Sequence, residues 1–176
     1  MTRYVAFLRG INVGGHRRLP MADLRDLLTG LGYTGTATYV QSGNAVLDAG
    51  TDDDGAVAAA ISAAIRERFG LEVPTVVRSA ERMRAVVAAN PLEVADPARF
   101  LVLFGTAPFD TAALRALDLA AYPRERLAVT DTEIYTCHED GIRFAKLPEV
   151  VGRYTTGTVT ARNWRTVLRM LDMAQG

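Results

Sequence analysis

The order of strand-like and helix-like segments in the first 79 residues constrains the fold more than any other feature. Residues 3–8 form a β-branched and aromatic run typical of a buried strand. Leucines between residues 24 and 31 recur at helical spacing, and Gly32 supplies a stop. Two further strands are predicted at 36–40 and 45–49, on either side of an SGN turn. A second helix is predicted from TDDDG to Gly70, and a fourth strand at residues 73–77.

This order, β-α-β-β-α-β, is that of the ferredoxin-like, or split βαβ, unit. The second half predicts a helix over 80–90, the loop PLEVADPAR, and then β-α-β-β-α, an incomplete or variant copy. Its last helix is predicted at ARNWRTVLRMLDM, and completion of the sheet by a strand from VVGRYTTG is left open. We therefore expect an α/β (α+β) protein with two ferredoxin-like subdomains, antiparallel sheets and a C-terminal helix. The expected subdomains are 1–79 and 99–176, with a helix and linker at 80–98.

The composition narrows the classes of partner and compartment. Basic and acidic residues balance at 20 each and the pI is about 6.7, which removes the global charge of a nonspecific nucleic-acid binder. One cysteine excludes an internal disulfide framework, which suits a reducing compartment. No apolar stretch approaches the roughly 20 residues of a membrane span, and YVAFL is too short for a secretory signal. We expect a cytoplasmic protein that does not enter membranes.

A glycine-rich segment, RGINVGG, directly follows the first strand. In a ferredoxin-like unit the end of strand one lies beside the turn between strands two and three, here QSGN. The N-terminus of the first helix faces the same pole, with unpaired N–H groups and partial positive charge. The sequence therefore predicts a site for a phosphate, carboxylate or nucleobase edge. Its candidate residues are Arg9, Asn12, Gly14, Gly15, Gln41, Ser42 and Asn44.

An ordinary turn explains the same residues equally well. Asn and Gly are common turn residues, and SGN suits a hairpin. The segment matches neither the dinucleotide-binding pattern nor the P-loop pattern. Arg17 and Arg18 extend it and would strengthen anion binding, although adjacent arginines are also common on exposed turns.

Several residues in the second half are weaker candidates. Arg162 and Asn163 open the predicted last helix and could close the pocket, although Trp164 beside them suits a core anchor. The side chain of Lys146 could reach a phosphate, or Lys146 is an ordinary solvent-exposed lysine. Cys137 and His138 are strand neighbours that point to opposite faces, so they form no nucleophile–base pair. No spacing suits a metal ion, and no motif predicts a cofactor.

Four motifs in order resemble the bacterial DUF1697 family, a domain of unknown function. They are LRGINVGG, LPMADLRDLL, TYVQSGNAV and TARNWRTVLRML, and the resemblance covers essentially the whole chain. It implies ferredoxin-like subdomains and no assigned activity. Members of the family often carry serine before the lysine of FAKL, where this chain has Ala145, so any role that needs that serine is absent here.

Three functions follow as hypotheses. The first is binding of a small anionic, phosphate- or nucleotide-like ligand at the glycine-rich loop, with catalysis left open because no nucleophile or general base stands out. The second is a protein-interaction module, such as a homodimer formed through edge strands. The third, nucleic-acid binding, is disfavoured because Tyr4 and Phe7 face opposite sides of strand one and the third strand has no aromatic residue.

Overall fold

A computed structural model describes all 176 residues, and the chain divides into two compact units. Unit 1 comprises Met1–Arg84 with Met170–Gly176, and unit 2 comprises Ala85–Arg169. Each unit contains one four-stranded antiparallel sheet, as the sequence predicts for two ferredoxin-like subdomains. No helix combines the length and apolarity that a membrane crossing requires.

Unit 1 has the complete β-α-β-β-α-β order. Its sheet has the strand order β2-β3-β1-β4, so β1 is central and β3 separates it from β2. The elements are β1 (Thr2–Leu8), α1 (Met21–Gly30), β2 (Thr34–Tyr39), β3 (Asn44–Ala49), α2 (Asp54–Phe69) and β4 (Thr75–Ser79). Helix α3 (Ala80–Ala88) follows and ends two residues before the predicted position.

The core of unit 1 lies between the sheet and its two helices. Tyr4, Ala6 and Leu8 point from β1 into a buried cluster that also contains Leu24 of α1 and Ile61 of α2. Phe7 is equally buried and lies outside that cluster, on the opposite face of the strand. Neither aromatic side chain of β1 is therefore accessible for base stacking.

Local capping fixes where α2 begins and ends. The Asp53 carboxylate accepts a hydrogen bond from the Ala56 amide at 2.9 Å, which satisfies one N–H of the first turn. At the other end Gly70 has a φ of +67°, the left-handed conformation that commonly ends a helix. Both signals are present in the sequence, and the predicted helix is confirmed.

Unit 2 repeats the strand arrangement with shorter helices. Its sheet has the order β6-β7-β5-β8, equivalent to that of unit 1. The elements are β5 (Phe100–Gly105), α4 (Thr111–Arg115), β6 (Glu125–Val129), β7 (Ile134–His138), α5 (Leu147–Gly152) and β8 (Val159–Asn163), followed by α6 (Trp164–Gln175). The second copy is variant because α4 and α5 span only five and six residues.

One local prediction in this half is wrong, and one question that the sequence left open is answered. Residues 161–163 belong to β8 and not to the last helix, because they pair with β5, where Leu101 faces Asn163 and Leu103 faces Ala161. The completing strand is thus 159–163, whereas part of VVGRYTTG forms α5. Pairing with a neighbouring strand overrides the helical preference of the local sequence.

Candidate functional site

The glycine-rich segment and the β2–β3 turn meet at one end of the unit 1 sheet. The Leu8 amide donates to the Gly43 carbonyl at 2.8 Å. The side-chain amide of Asn12 donates to the Gln41 carbonyl at 2.7 Å. These bonds place the two segments side by side, where the order of the strands predicts them.

The glycine pair forms the tip of a small hairpin. Asn12 N–H donates to the Arg17 carbonyl at 3.0 Å and His16 N–H to the Val13 carbonyl at 2.9 Å. Gly14 and Gly15 between them have φ values of +58° and +75°, and a type I′ turn requires positive φ at both central positions. Their backbone is open above the tip, since no heavy atom lies within 4 Å of the position of an added Cβ.

Arg17 holds the base of this hairpin. Its Nε donates to the Gly10 carbonyl at 2.7 Å, and a terminal guanidinium nitrogen donates to the Glu72 carbonyl. A cation that bonds two backbone carbonyls fixes the loop and stays positively charged. Arg17 is therefore a structural residue of the loop that also contributes charge to it.

The two asparagines among the candidates are engaged inside the protein. Asn12 also donates to the Leu19 carbonyl at 2.9 Å and accepts from the Leu19 amide at 2.8 Å. Asn44 is buried and donates to the Tyr39 carbonyl at 2.9 Å and to the Ser42 hydroxyl at 3.0 Å. Both side chains therefore have a structural role at this end of the sheet. The exposed candidates are Arg9, Gly14, Gly15, Gln41 and Ser42.

The two segments that meet at this end of the sheet have a net positive charge. Segments 9–20 and 40–44 contain three arginines and His16, and no Asp or Glu. Arg18 is exposed and makes no ion pair. We call residues 9–18 and 40–42 the cationic pole.

Backbone conformations that side chains rarely adopt are concentrated at the cationic pole. The non-glycine residues with positive φ are Asn12, Arg17 and Val40, and all three lie here. Val40 has a φ of +48° although it is β-branched and half exposed. A β-branched residue in this region is a true outlier, and such outliers often occur at functional sites.

The other two predicted site residues lie in unit 2, in strand β8. The Asn163 side-chain oxygen accepts from the Thr166 amide at 2.9 Å and so caps α6. Arg162 donates to the Ala161 carbonyl at 2.9 Å, and burial lowers its pKa to about 10. Asn163 therefore has a structural role, and ligand binding by either residue stays a prediction.

Unit 2 contains a second polar cluster beside a cavity of about 610 Å³. His138 Nδ1 lies 2.7 Å from Glu125 Oε1, and its Nε2 lies 2.7 Å from the Thr136 hydroxyl. A carboxylate only accepts, so Nδ1 carries the proton and Nε2 accepts from Thr136. Burial lowers the pKa of His138 and outweighs the opposing effect of Glu125. The imidazole is thus a neutral link in a buried chain of hydrogen bonds.

The comparison with known families decides the membership of the chain. The model described as "Protein of unknown function (DUF1697)" matches residues 1–135. The chain belongs to the DUF1697 family. No protein of curated function matches its sequence.

A solved structure is also similar to this DUF1697 protein. It is that of a conserved bacterial protein from Streptococcus pneumoniae, with 26% sequence identity and a TM-score of 0.78. The alignment covers 98% of each chain and therefore includes the residues beyond the family match. The fold is shared over both units.

Sequence reasoning missed the cluster in unit 2 of this DUF1697 chain. Glu125 and His138 face each other across β6 and β7, a register that the sequence does not reveal. One signal of the cluster was present in the sequence. Thr136 and His138 are two residues apart in one strand, so their side chains lie on the same face. Cys137 lies on the other face, near Arg126, so the predicted absence of a Cys–His pair agrees with the geometry.

Proposed function

We propose that this protein binds a small phosphate-bearing ligand at the cationic pole. The observation that carries the proposal is the joining of the two loops by Asn12 and Gln41, which places several exposed donors together. The arginines of the glycine-rich segment, with no carboxylate inside either segment, favour an anion over a neutral or cationic ligand.

The donors at the pole suit phosphate oxygens. The open backbone at Gly14 and Gly15 lets a ligand approach without meeting a side chain. Helix α1 begins behind the pole at Met21, and Pro20 before it provides no side-chain cap. Its first N–H groups add partial positive charge to the same end of the sheet.

The proposed activity is binding and not catalysis. His16 is the only ordinary general base in the two segments, and it is exposed without a carboxylate to orient it. Arg17 and Asn12 are committed to the fold. The remaining groups can orient and neutralise a phosphate, which is sufficient for recognition.

Isothermal titration with inorganic pyrophosphate tests the proposal. Arg18→Ala and Arg9→Ala are each expected to weaken binding about tenfold, which is about 1.4 kcal/mol. Arg84→Ala, an exposed arginine of α3, is the matched control and is expected to leave binding unchanged. Equal loss in all three variants would mean that only net charge matters, and the proposed site would be wrong.

A further inference from the structure

The cavity in unit 2 lies between the start of β6, the end of β7 and the segment that leads into α5. Its volume of about 610 Å³ is within the range of small-molecule sites, roughly 300–1,000 Å³. The cavity shares no residue with the cationic pole, since every lining residue belongs to unit 2. The lining residues that matter here are Tyr122, Arg124, Glu125, His138, Phe144 and Lys146.

Lys146 supplies the available positive charge of the cavity. It is the single lysine among the chain's 20 basic residues, and its exposed ammonium makes no ion pair. Arg124, the other lining cation, is neutralised by Asp140 at 2.9 Å and Glu139 at 3.2 Å. A lysine ammonium is a compact point charge that commonly binds phosphate.

Glu125 supplies an acceptor that the protein holds in place and uses only in part. Its Oε1 accepts from His138 Nδ1 at 2.7 Å, the Lys146 amide at 2.9 Å and the Leu147 amide at 3.2 Å. Its Oε2 receives no hydrogen bond, although the side chain is only 9% exposed. A carboxylate oxygen that accepts no bond from the protein, on a residue that lines the cavity, favours a ligand with an N–H donor.

Aromatic rings complete the cavity. Phe144 is 65% exposed, with the Arg143 guanidinium 5.7 Å from the centre of its ring, and Tyr122 is part of the same lining. A nucleobase stacks favourably on the face of an aromatic side chain. A ligand with a flat ring would cover apolar surface that the protein leaves in water.

We propose that this cavity binds a nucleoside monophosphate. The phosphate pairs with the Lys146 ammonium, an N–H of the base donates to Glu125 Oε2, and the base packs against Phe144. The buried chain from Thr136 through His138 holds Glu125 in the orientation that this contact needs. His138 is therefore a positioning residue and touches no ligand.

Isothermal titration with AMP, GMP, CMP and UMP provides the first test, with ribose 5-phosphate as the probe without a base. We expect at least one nucleotide to bind with a Kd below about 1 mM and at least tenfold more tightly than ribose 5-phosphate. Absence of binding by all four, or equal binding of ribose 5-phosphate, overturns the proposal.

Two variants locate the bound nucleotide. Lys146→Met removes the charge of an exposed side chain, and Glu125→Gln keeps an oxygen for the Oε1 contacts while replacing Oε2 with a donor. Each is expected to weaken binding at least tenfold. The control Arg153→Met removes another exposed cation of unit 2, whose partner is Glu149, and is expected to have no effect. Unchanged binding by Lys146→Met contradicts the proposal, even if Glu125→Gln does not fold.

A chemical readout uses the single lysine directly. Acetylation of Lys146 by an amine-reactive reagent, followed by mass spectrometry, is expected to slow at least fivefold in saturating nucleotide, while the α-amino group reacts at an unchanged rate. An unchanged rate at Lys146 places the nucleotide elsewhere and overturns this site. Because Arg18→Ala is expected to leave this protection intact, failure here is distinguishable from failure of the cationic pole.

Discussion

The side-chain amide of Asn12 lies 2.7 Å from the main-chain oxygen of Gln41, and this bond joins the two loops of the cationic pole. The same side chain also bonds both polar backbone groups of Leu19. One residue thus fixes the hairpin, the entry to α1 and the β2–β3 turn relative to one another. The arrangement of exposed donors at the pole depends on it.

Replacement of Asn12 by alanine is expected to lower the free energy of unfolding by about 2–3 kcal/mol. It removes three hydrogen bonds and leaves alanine at a φ of +55°. Asn12→Gly loses the same bonds without the backbone strain, so it should be more stable than Asn12→Ala by about 1 kcal/mol. Urea unfolding of both variants provides the measurement, and a loss below about 0.5 kcal/mol in Asn12→Ala would contradict this role.

Gly14 in the cationic pole and Gly43 directly after it are expected to tolerate alanine very differently. A Cβ at Gly43 would lie 2.8 Å from both the Leu8 Cβ and the Ile11 Cδ1, at a φ of +92°. At Gly14 it would meet nothing within 4 Å, and only the left-handed backbone opposes it. We expect Gly14→Ala to cost about 1–2 kcal/mol and Gly43→Ala at least about 2 kcal/mol more. Equal midpoints of urea unfolding for the two variants would show that Gly43 is not closely packed.

His138 is expected to make stability depend on pH below neutrality. Because its pKa in the folded protein lies below the ordinary 6.5, the unfolded chain takes up this proton first as the pH falls. The free energy of unfolding should therefore decrease from about pH 7 down to the folded pKa, by at most about 1.4 kcal/mol per pH unit.

Thermal or urea unfolding between pH 5 and 8 measures this dependence. His138→Gln should flatten the curve in this window, although the variant also loses buried contacts and is less stable throughout. His16→Gln is the matched control, because His16 is the only other histidine and is exposed. A wild-type slope that survives in His138→Gln would assign the dependence to other groups.

Much of unit 1 was predictable because its signals are local. Asp53 and Gly70 mark the two ends of α2, and Leu24 to Leu28 mark the buried face of α1. The meeting of the two loops also followed from the order of the elements alone. Its details did not, because the use of Asn12 and Asn44 as internal donors depends on distances between segments.

The parts that the sequence did not predict depend on pairing between distant strands. Residues 161–163 have a helical pattern and become strand only because β5 lies beside them. The sequence indicates that Cys137 and His138 are neighbours in one strand, but it does not reveal that Glu125 of β6 lies opposite His138. This cross-strand pair, which forms part of the wall of the cavity, depends on the register between β6 and β7.

The most direct measurement is a titration of ¹⁵N-labelled protein with inorganic pyrophosphate, followed by amide chemical shifts. The account predicts saturable shifts at Gly14, Gly15, Gln41 and Ser42, with weaker binding in Arg18→Ala and normal binding in Arg84→Ala. Shifts that are absent from these amides at millimolar pyrophosphate, or that occur only elsewhere in the chain, would contradict the claim that the cationic pole is a phosphate site.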